Sequence, residues 1–277
     1  DHRKNTTTVA GTGGLGQETG PSSHLSVRNL PLNPFSLSVC MPAYNEEANL
    51  PGMIADVVAI MQARFSDFEI VVTNDGSKDR TGEVLAELAA QYPQLKPVNH
   101  AVNQGYGAAV FTALSSASKD VIFFTDSDRQ FKLEEIDRLT PHLAEADMVV
   151  GYRSPRRDPP ARVLFGHGWS SLVTLLFGYT ARDIDCAFKL LPRAAFARVA
   201  PHIQSRGATF SAEWLVLSKR AGYRFAEVPV SHLPRTAGSQ TGARPDVIKR
   251  AFRELWRFRK RLWREGPGLA TAPAGQE

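Results

Sequence analysis

The chain has 277 residues and only two cysteines, Cys40 and Cys186. They lie far apart and without metal-ligand spacing, which argues against a disulfide framework or a thiolate metal centre. A reducing compartment, with both residues as small buried hydrophobes, is the expectation. Long apolar runs are also lacking. No stretch reaches the ~18 apolar residues of a membrane span, and the nearest, Trp169–Tyr179, is short and carries hydroxyls. No signal-peptide pattern opens the chain; its first residue is Asp1 rather than Met, as in a chain trimmed at its start. No glycine-rich loop ends in Gly-Lys-Ser/Thr, which excludes a Walker A phosphate loop. The net charge of +5 is modest, so its location matters more than its size.

What the chain does have is alternation. Leu37–Met41 reads as a strand, Glu46–Phe65 as a helix, Phe68–Thr73 as a strand and Arg80–Tyr92 as a helix. A weak strand at Leu95–Asn99, a helix at Tyr106–Ser118 and a strand at Val121–Thr125 follow, then a helix at Leu133–Ala144 and a strand at Met148–Gly151. This order predicts an α/β fold with a parallel sheet wrapped by helices. After Gly151 the regularity breaks into a basic, proline-rich loop from Arg153 to Arg162, a helical segment through Leu176 and a mixed Asp183–Leu191 stretch. A helix at Ala212–Ala221, a strand at Phe225–Val230 and a long basic helix at Asp246–Arg264 close the pattern. Residues 1–35 and 266–277 are rich in Gly, Ser, Thr, Ala and Pro and read as a flexible arm and tail. They flank one domain over 36–245 and an amphipathic helix over 246–265.

Three motifs sit where strands end, the place where open parallel sheets bind ligands. In Asp126-Ser127-Asp128, two carboxylates one residue apart, with Gln130 next, suit Mg²⁺ or Mn²⁺. Such a cation holds a substrate diphosphate, which points to a nucleotide-linked substrate. In Asn74-Asp75-Gly76-Ser77, the glycine permits a tight turn and Ser77 or Asp79 can cap the next helix. That turn does not require Asp75, whose carboxylate suits a nucleobase edge. Asn103-Gln104-Gly105-Tyr106-Gly107 opens a helix and has two readings: a backbone approach to an anion, or tight packing of the helix on the sheet.

Taken in order, these motifs resemble the inverting family 2 glycosyltransferases of the GT-A fold, and within them the dolichol- or polyprenyl-phosphate mannosyl- and glucosyltransferases. The likeness runs from about Leu37 to Arg250 and also rests on Pro42-Ala43-Tyr44-Asn45-Glu46-Glu47, Gly151-Tyr152-Arg153 and Glu227-Val228-Pro229-Val230 with Arg235 and Gly238. The resemblance implies a hexose donor such as GDP-mannose or a UDP-hexose. It implies that Pro42, Ala43, Tyr44, Glu46, Thr73 and Asp75 hold base and ribose, and that Asp126, Asp128 and Gln130 hold the metal, with Ser127 near the diphosphate. Arg153 and Arg235 would meet phosphates, Glu213 would lie near the reacting sugar, and Asp183 and Lys189 would line the acceptor side. Three positions depart from the family. Asn74 replaces the first Asp of Asp-Asp-Gly-Ser, Lys189 stands where arginine is usual, and the run after Arg235 lacks the family's lysine, which Arg244 could replace.

If the acceptor is a lipid phosphate, it attacks as an anion and needs no general base. If it is a sugar hydroxyl on a soluble acceptor, a carboxylate must take its proton, and Glu213 is the candidate; Asp128 and Glu213 are therefore the expected catalytic residues. In the last helix Val247, Ile248, Ala251, Phe252, Leu255, Phe258, Leu262 and Trp263 recur at helical spacing among eight Lys and Arg residues from Lys249 to Arg264. Either that stripe packs on the domain, or the helix lies on an anionic membrane surface, which would place the protein peripherally on the cytoplasmic face. No nucleic-acid reading module accompanies the charge. A nucleotidyltransferase would share the sheet and metal site but lacks its basic triphosphate loop here, and a non-catalytic binding module would not need both Asp126 and Asp128.

Overall fold

A computed structural model describes residues 33–157, 160–234 and 245–266. At its centre β1 (Leu37–Ala43) and β2 (Phe68–Asn74) are buried along their whole length. Both are near-continuous apolar runs, as strands covered on two faces must be. They pair in parallel from Leu37↔Phe68 to Ala43↔Asn74. β3 (Leu95–Asn99) and β4 (Val121–Thr125) extend the sheet on either side, also in parallel. With β5 (Met148–Arg153), β6 (Phe188–Pro192) and β7 (Phe225–Val230), the sheet has seven strands in the order β3-β2-β1-β4-β6-β5-β7. The expected α/β architecture with a mostly parallel sheet is the one observed.

β6 alone runs against the rest, antiparallel to both β4 and β5. It lies within the stretch that looked mixed, because a five-residue strand with a lysine as its second residue carries no clear period. Packing makes it a strand: Phe188 meets Phe123 edge-on at 4.7 Å between ring centroids. The reversal has a consequence for chemistry. The carboxyl ends of the parallel strands and the amino end of β6 share one rim, so the 183–187 segment arrives beside Asp126 and Arg153.

The helices depart from expectation where proline or a turn intervenes. α1 (Leu50–Gln62) begins later than Glu46, because Asn45 adopts a left-handed backbone (φ 56°) and the Asn49 N–H closes a turn onto the Glu46 carbonyl at 3.0 Å. Pro51 falls in the first turn of α1, where its missing N–H has no intrahelical partner to lose. α2 (Thr81–Gln91) and α3 (Tyr106–Ser115) follow the pattern. The expected Leu133–Ala144 helix is instead two 3₁₀ turns around a short α4 (Ile136–Leu139), and Pro141 opens the second of these turns, where it cannot continue an α-helical ladder. α5 (Pro160–Phe177), an unanticipated α6 (Arg193–Val199), α7 (Phe210–Arg220) and α8 (Pro245–Glu265) complete the order.

Residues 33–35 are tied to the domain, with the Asn33 N–H on the Arg64 carbonyl at 2.9 Å and Phe35 against Phe65. Residues 1–32 of the arm, residues 267–277 of the tail, and the 235–244 segment with Arg235, Gly238 and Arg244 lie outside the described residues. Cys40 and Cys186 are buried and free.

Candidate active site

β4 delivers Asp126 and Asp128 to the rim, and short hydrogen bonds fix them there. Ser127 Oγ donates to the Pro42 carbonyl at 2.8 Å, stitching the end of β4 to β1. The Gln130 N–H donates to Asp128 Oδ1 at 3.1 Å, and Tyr106 Oη donates to Asp126 Oδ1 at 3.0 Å. Burial, and next the charge of Asp128, push the Asp126 carboxyl up to about 7. Lys189 and Arg153 act the other way without cancelling that shift. Two carboxylates held so close disfavour joint ionisation unless a cation joins them. Among the described residues no cluster of three or more His, Cys, Asp and Glu supplies a fuller ligand set. The pair therefore fits a hard cation that takes its remaining oxygens from a diphosphate or water. Gln130 spends its amide nitrogen on the Leu233 carbonyl at 3.0 Å, so its side-chain oxygen is the atom left for a metal.

On the expected nucleotide side, the loops after β1 and β2 are laced together. The Asn45 N–H meets Ser77 Oγ at 3.0 Å, the Lys78 N–H meets Asn45 Oδ1 at 2.9 Å and the Glu46 N–H meets Thr81 Oγ1 at 2.9 Å. Tyr44 and Glu46 are half-buried beside this lacing, and Thr73 Oγ1 is buried at the end of β2 with no hydrogen-bond partner in the structure. Asp75 has a role that a turn alone would not give it. Its Oδ1 accepts from the Gln104 N–H at 2.9 Å and lies 2.7 Å from His100 Nδ1, while Oδ2 accepts from the Gly105 N–H at 2.9 Å. A carboxylate offers about four lone-pair directions, and Asp75 gives two of them to the 103–107 loop and one to His100.

That loop packs on protein rather than opening toward an anion. A Cβ at Gly107 would lie 2.5 Å from the Gly207 carbonyl oxygen and 2.6 Å from Phe210 Cβ. The Ala108 N–H donates to the Arg206 carbonyl at 2.9 Å. Of the two readings of these glycines, packing is the one observed, against the 206–210 segment.

On the opposite side, Arg153 forks onto Asp183, Nε to Oδ2 at 2.7 Å and Nη2 to Oδ1 at 2.8 Å. Burial would raise the Asp183 carboxyl, but this guanidinium holds it below its ordinary value. Lys189 is fully buried in β6, donating to the Cys186 carbonyl at 2.5 Å and the Ile184 carbonyl at 3.2 Å, and burial lowers its pKa. Next to the Arg153–Asp183 pair lies a cavity of about 310 Å³ whose lining includes Tyr152, Arg156, His167, Ser170 and Arg182. The Arg182 guanidinium stacks over the Tyr152 ring at 4.4 Å. The Arg156 guanidinium lies against α5 at Gly166, where a Cβ would lie 2.7 Å from one of its nitrogens. Arg156, His167 and Arg182 escaped the reading of the sequence; only the basic stretch after Arg153 hinted at the first.

Glu213, in the first turn of α7, has its carboxylate engaged elsewhere. It accepts from the backbone N–H groups of Gln204 (2.9 Å) and Ser205 (2.7 Å) and from Arg261 of α8 (2.6 Å). Glu227 likewise serves the fold, accepting from Tyr179 Oη at 2.5 Å and the Arg182 N–H at 2.6 Å.

α8 divides the apolar residues expected to form one stripe. Ala251, Leu255, Phe258 and Leu262 are buried on the domain, and Phe258 stacks on Phe177 of α5 with centroids 5.0 Å apart. Phe252, Trp256 and Trp263 are exposed, each one residue past a buried position and so about 100° round the helix. Trp256, which the periodicity did not single out, sits between Arg253 and Arg257. No helix among the described residues is long and apolar enough to cross a membrane.

Comparison with known proteins bears on this arrangement. The family model "Glycosyl transferase family 2" matches residues 38–199, more than half of the chain. A dolichyl-phosphate beta-glucosyltransferase of Trichomonas vaginalis is 31% identical over 207 residues, 69% of this chain and 61% of the relative. An undecaprenyl-phosphate 4-deoxy-4-formamido-L-arabinose transferase of Pectobacterium carotovorum is 30% identical over 207 residues, 74% of this chain and 62% of the relative. The chain thus spans about three fifths of the length of these relatives. Among solved structures, glucosyl-3-phosphoglycerate synthase from Mycobacterium tuberculosis, in complex with Mn²⁺ and uridine-diphosphate-glucose, superposes with a TM-score of 0.59 at 17% identity. That match covers 83% of this chain and 79% of the other, and the shared fold is the GT-A fold.

Proposed function

The chain belongs to glycosyl transferase family 2, and from that premise we propose that it transfers a hexose, with inversion, from a nucleotide sugar to a polyprenyl phosphate at a membrane surface. The observation that carries this reading is the pairing of two sites on one rim: the Asp126–Asp128 carboxylates, and the cavity bearing Arg156, His167 and Arg182 next to Arg153. Support also comes from relatives whose names specify dolichyl- and undecaprenyl-phosphate transfer.

In this reading Pro42, Ala43, Tyr44, Glu46, Thr73 and Asp75 border the base and ribose. Asp126, Asp128 and the side-chain oxygen of Gln130 would hold Mg²⁺ or Mn²⁺, in keeping with the Mn²⁺ named for the mycobacterial synthase. Bound there, the cation would neutralise charge on the departing diphosphate. Ser127 keeps the pair in place through Pro42, and Arg153, with Arg235 from outside the described residues, adds positive charge toward the phosphates. Asp183 holds the Arg153 fork in one orientation, and Lys189 is buried in β6, donating to the Ile184 and Cys186 carbonyls. The basic cavity suits the acceptor phosphate, which attacks as an anion and needs no base. The engagement of Glu213 with three donors supports a lipid-phosphate acceptor over a hydroxyl one. The exposed Trp256 and Trp263, among Arg253, Arg257, Lys260 and Arg264, suit a peripheral position on an anionic leaflet.

The test is direct. Purified protein is given radiolabelled UDP-glucose or GDP-mannose, Mn²⁺ or Mg²⁺, and dolichyl or undecaprenyl phosphate in mixed lipid vesicles. A metal-dependent, lipid-extractable labelled product is expected. Label transferred only to water or to soluble hydroxyl acceptors contradicts the proposal.

A further inference from the structure

Tyr106 was expected only as part of a glycine-rich helix start, yet its hydroxyl reaches Asp126 Oδ1 at 3.0 Å. What fixes Tyr106 can be followed outward. It is the first residue of α3. That helix start is docked on the 206–210 segment by the Ala108 N–H bond to the Arg206 carbonyl, with no room for a side chain at Gly107. The 204–209 segment is held in turn by two acids. Glu213 accepts the Gln204 and Ser205 N–H groups and is itself gripped by Arg261 at 2.6 Å. Glu254 accepts from Thr209 Oγ1 and, at 3.3 Å, from Ser205 Oγ. A Cβ at Gly207 would lie 2.9 Å from both Glu254 oxygens. Glu254 and Arg261 are seven residues apart in α8, two turns along one face. From the other side, Asp75 pins the loop before Tyr106 through the Gln104 and Gly105 N–H groups.

We propose that Tyr106 is a positioning residue for the Asp126–Asp128 pair, and that Glu254 and Arg261 of α8 set its position through the 204–209 segment. The proposal rests on the reading of that pair as the cation site. Its logic is geometric. The phenol hydroxyl occupies one lone-pair direction of Asp126 and so selects the orientation of the carboxylate. Other directions are left for a cation. The last helix is then more than an attachment to the domain: its inner face supports the donor site while its outer aromatic face stays exposed. Removing α8 should therefore weaken cation and donor binding as well as any contact with lipid.

The experiment uses the full chain and reads free Mn²⁺ by electron paramagnetic resonance, with UDP or GDP as the nucleotide probe. Tyr106→Phe is expected to weaken Mn²⁺ binding about three- to tenfold, the scale of one hydrogen bond, with a thermal midpoint close to wild type. Arg261→Met is expected to weaken it similarly, and the double variant no more than the stronger single one, because both act through the same hydroxyl. Glu254→Gln serves in place of Arg261→Met should that variant not fold. Wild-type Mn²⁺ affinity in Tyr106→Phe overturns the positioning role, and a double-variant effect equal to the product of the singles overturns the link to α8. Failure of the wild-type chain to bind Mn²⁺ with either nucleotide would instead overturn the cation reading, and this proposal with it.

Discussion

Two acids on opposite rims of the sheet, on β2 and β4 with β1 between them, answer to opposite demands. Glu69, near the amino end of β2, accepts from Ser38 Oγ (2.6 Å), the Ser118 N–H (2.6 Å) and Ser118 Oγ (2.8 Å) and pairs with Lys96 Nζ (2.5 Å). Burial by itself would raise its pKa, but these donors override burial and hold it at about 2. Asp126, just past the carboxyl end of β4, has a neutral phenol as donor and another carboxylate as neighbour, and stands at about 7. Donors from the chain balance Glu69, whereas Asp126 faces a second carboxylate, and in the function proposed above a cation meets that charge. Burial alone does not fix the charge of a buried acid. The partners do.

The largest effect expected from breaking this contrast is at Asp128. Asp128→Ala should cost transfer on the order of 10²–10³-fold, the scale of losing one fixed electrostatic contact to developing charge, with the far-ultraviolet circular dichroism preserved. Metal-dependent transfer at the wild-type rate would refute the site.

Glu69→Gln should do the reverse, lowering folding stability by about 3 kcal/mol near neutral pH, as expected from a shift of 4.5 to about 2, while Mn²⁺ affinity stays unchanged. The sign with pH follows from the depressed pKa. The contribution is complete above the ordinary carboxylate value and is lost as pH falls through the folded value, so a urea series across the acid range should show wild type and variant converging. Asp126 carries the opposite sign. Its raised pKa favours the fold at low pH and loses that contribution as pH rises toward about 7, so added Mn²⁺ should raise the thermal midpoint more above neutrality than below it.

Asp75 stands between the two cases, because it both anchors a loop and borders the proposed base pocket. Asp75→Ala should cost about 1–3 kcal/mol of stability by orphaning the Gln104 and Gly105 N–H groups and should also weaken donor binding. A lowered donor affinity with unchanged denaturation would mean the loop anchor is dispensable.

Arg182→Ala should raise the KM for the lipid acceptor about tenfold, the scale of one charged contact, and leave the KM for the donor nearly as it was. Equal changes in both would place the basic cavity on the donor path.

Much of this was visible in the sequence, for physical reasons. β1, β2 and β4 are apolar runs that stop at polar residues, and strands buried on both faces must look that way. Asp126 and Asp128 stood out because a carboxylate pair at a strand end has little structural use. β6 did not stand out, because Lys189 reads as a surface residue until Ile184 and Cys186 fold their carbonyls onto it. The partners of Glu213 and Asp183 were hidden for a related reason: Arg261 and Arg153 lie 48 and 30 residues away in the chain, and only tertiary packing brings them together. Trp256 was missed because it sits among arginines rather than in the buried stripe.

The central claim is that the Asp126–Asp128 pair is completed by a cation and a nucleoside diphosphate together. A calorimetric titration of Mn²⁺ with and without UDP or GDP tests it most directly, on wild type, Asp128→Asn and Glu69→Gln. The account predicts that Mn²⁺ and nucleotide strengthen each other's binding in wild type and in Glu69→Gln, and that this mutual effect disappears in Asp128→Asn. Undiminished Mn²⁺-dependent nucleotide binding in Asp128→Asn would contradict it.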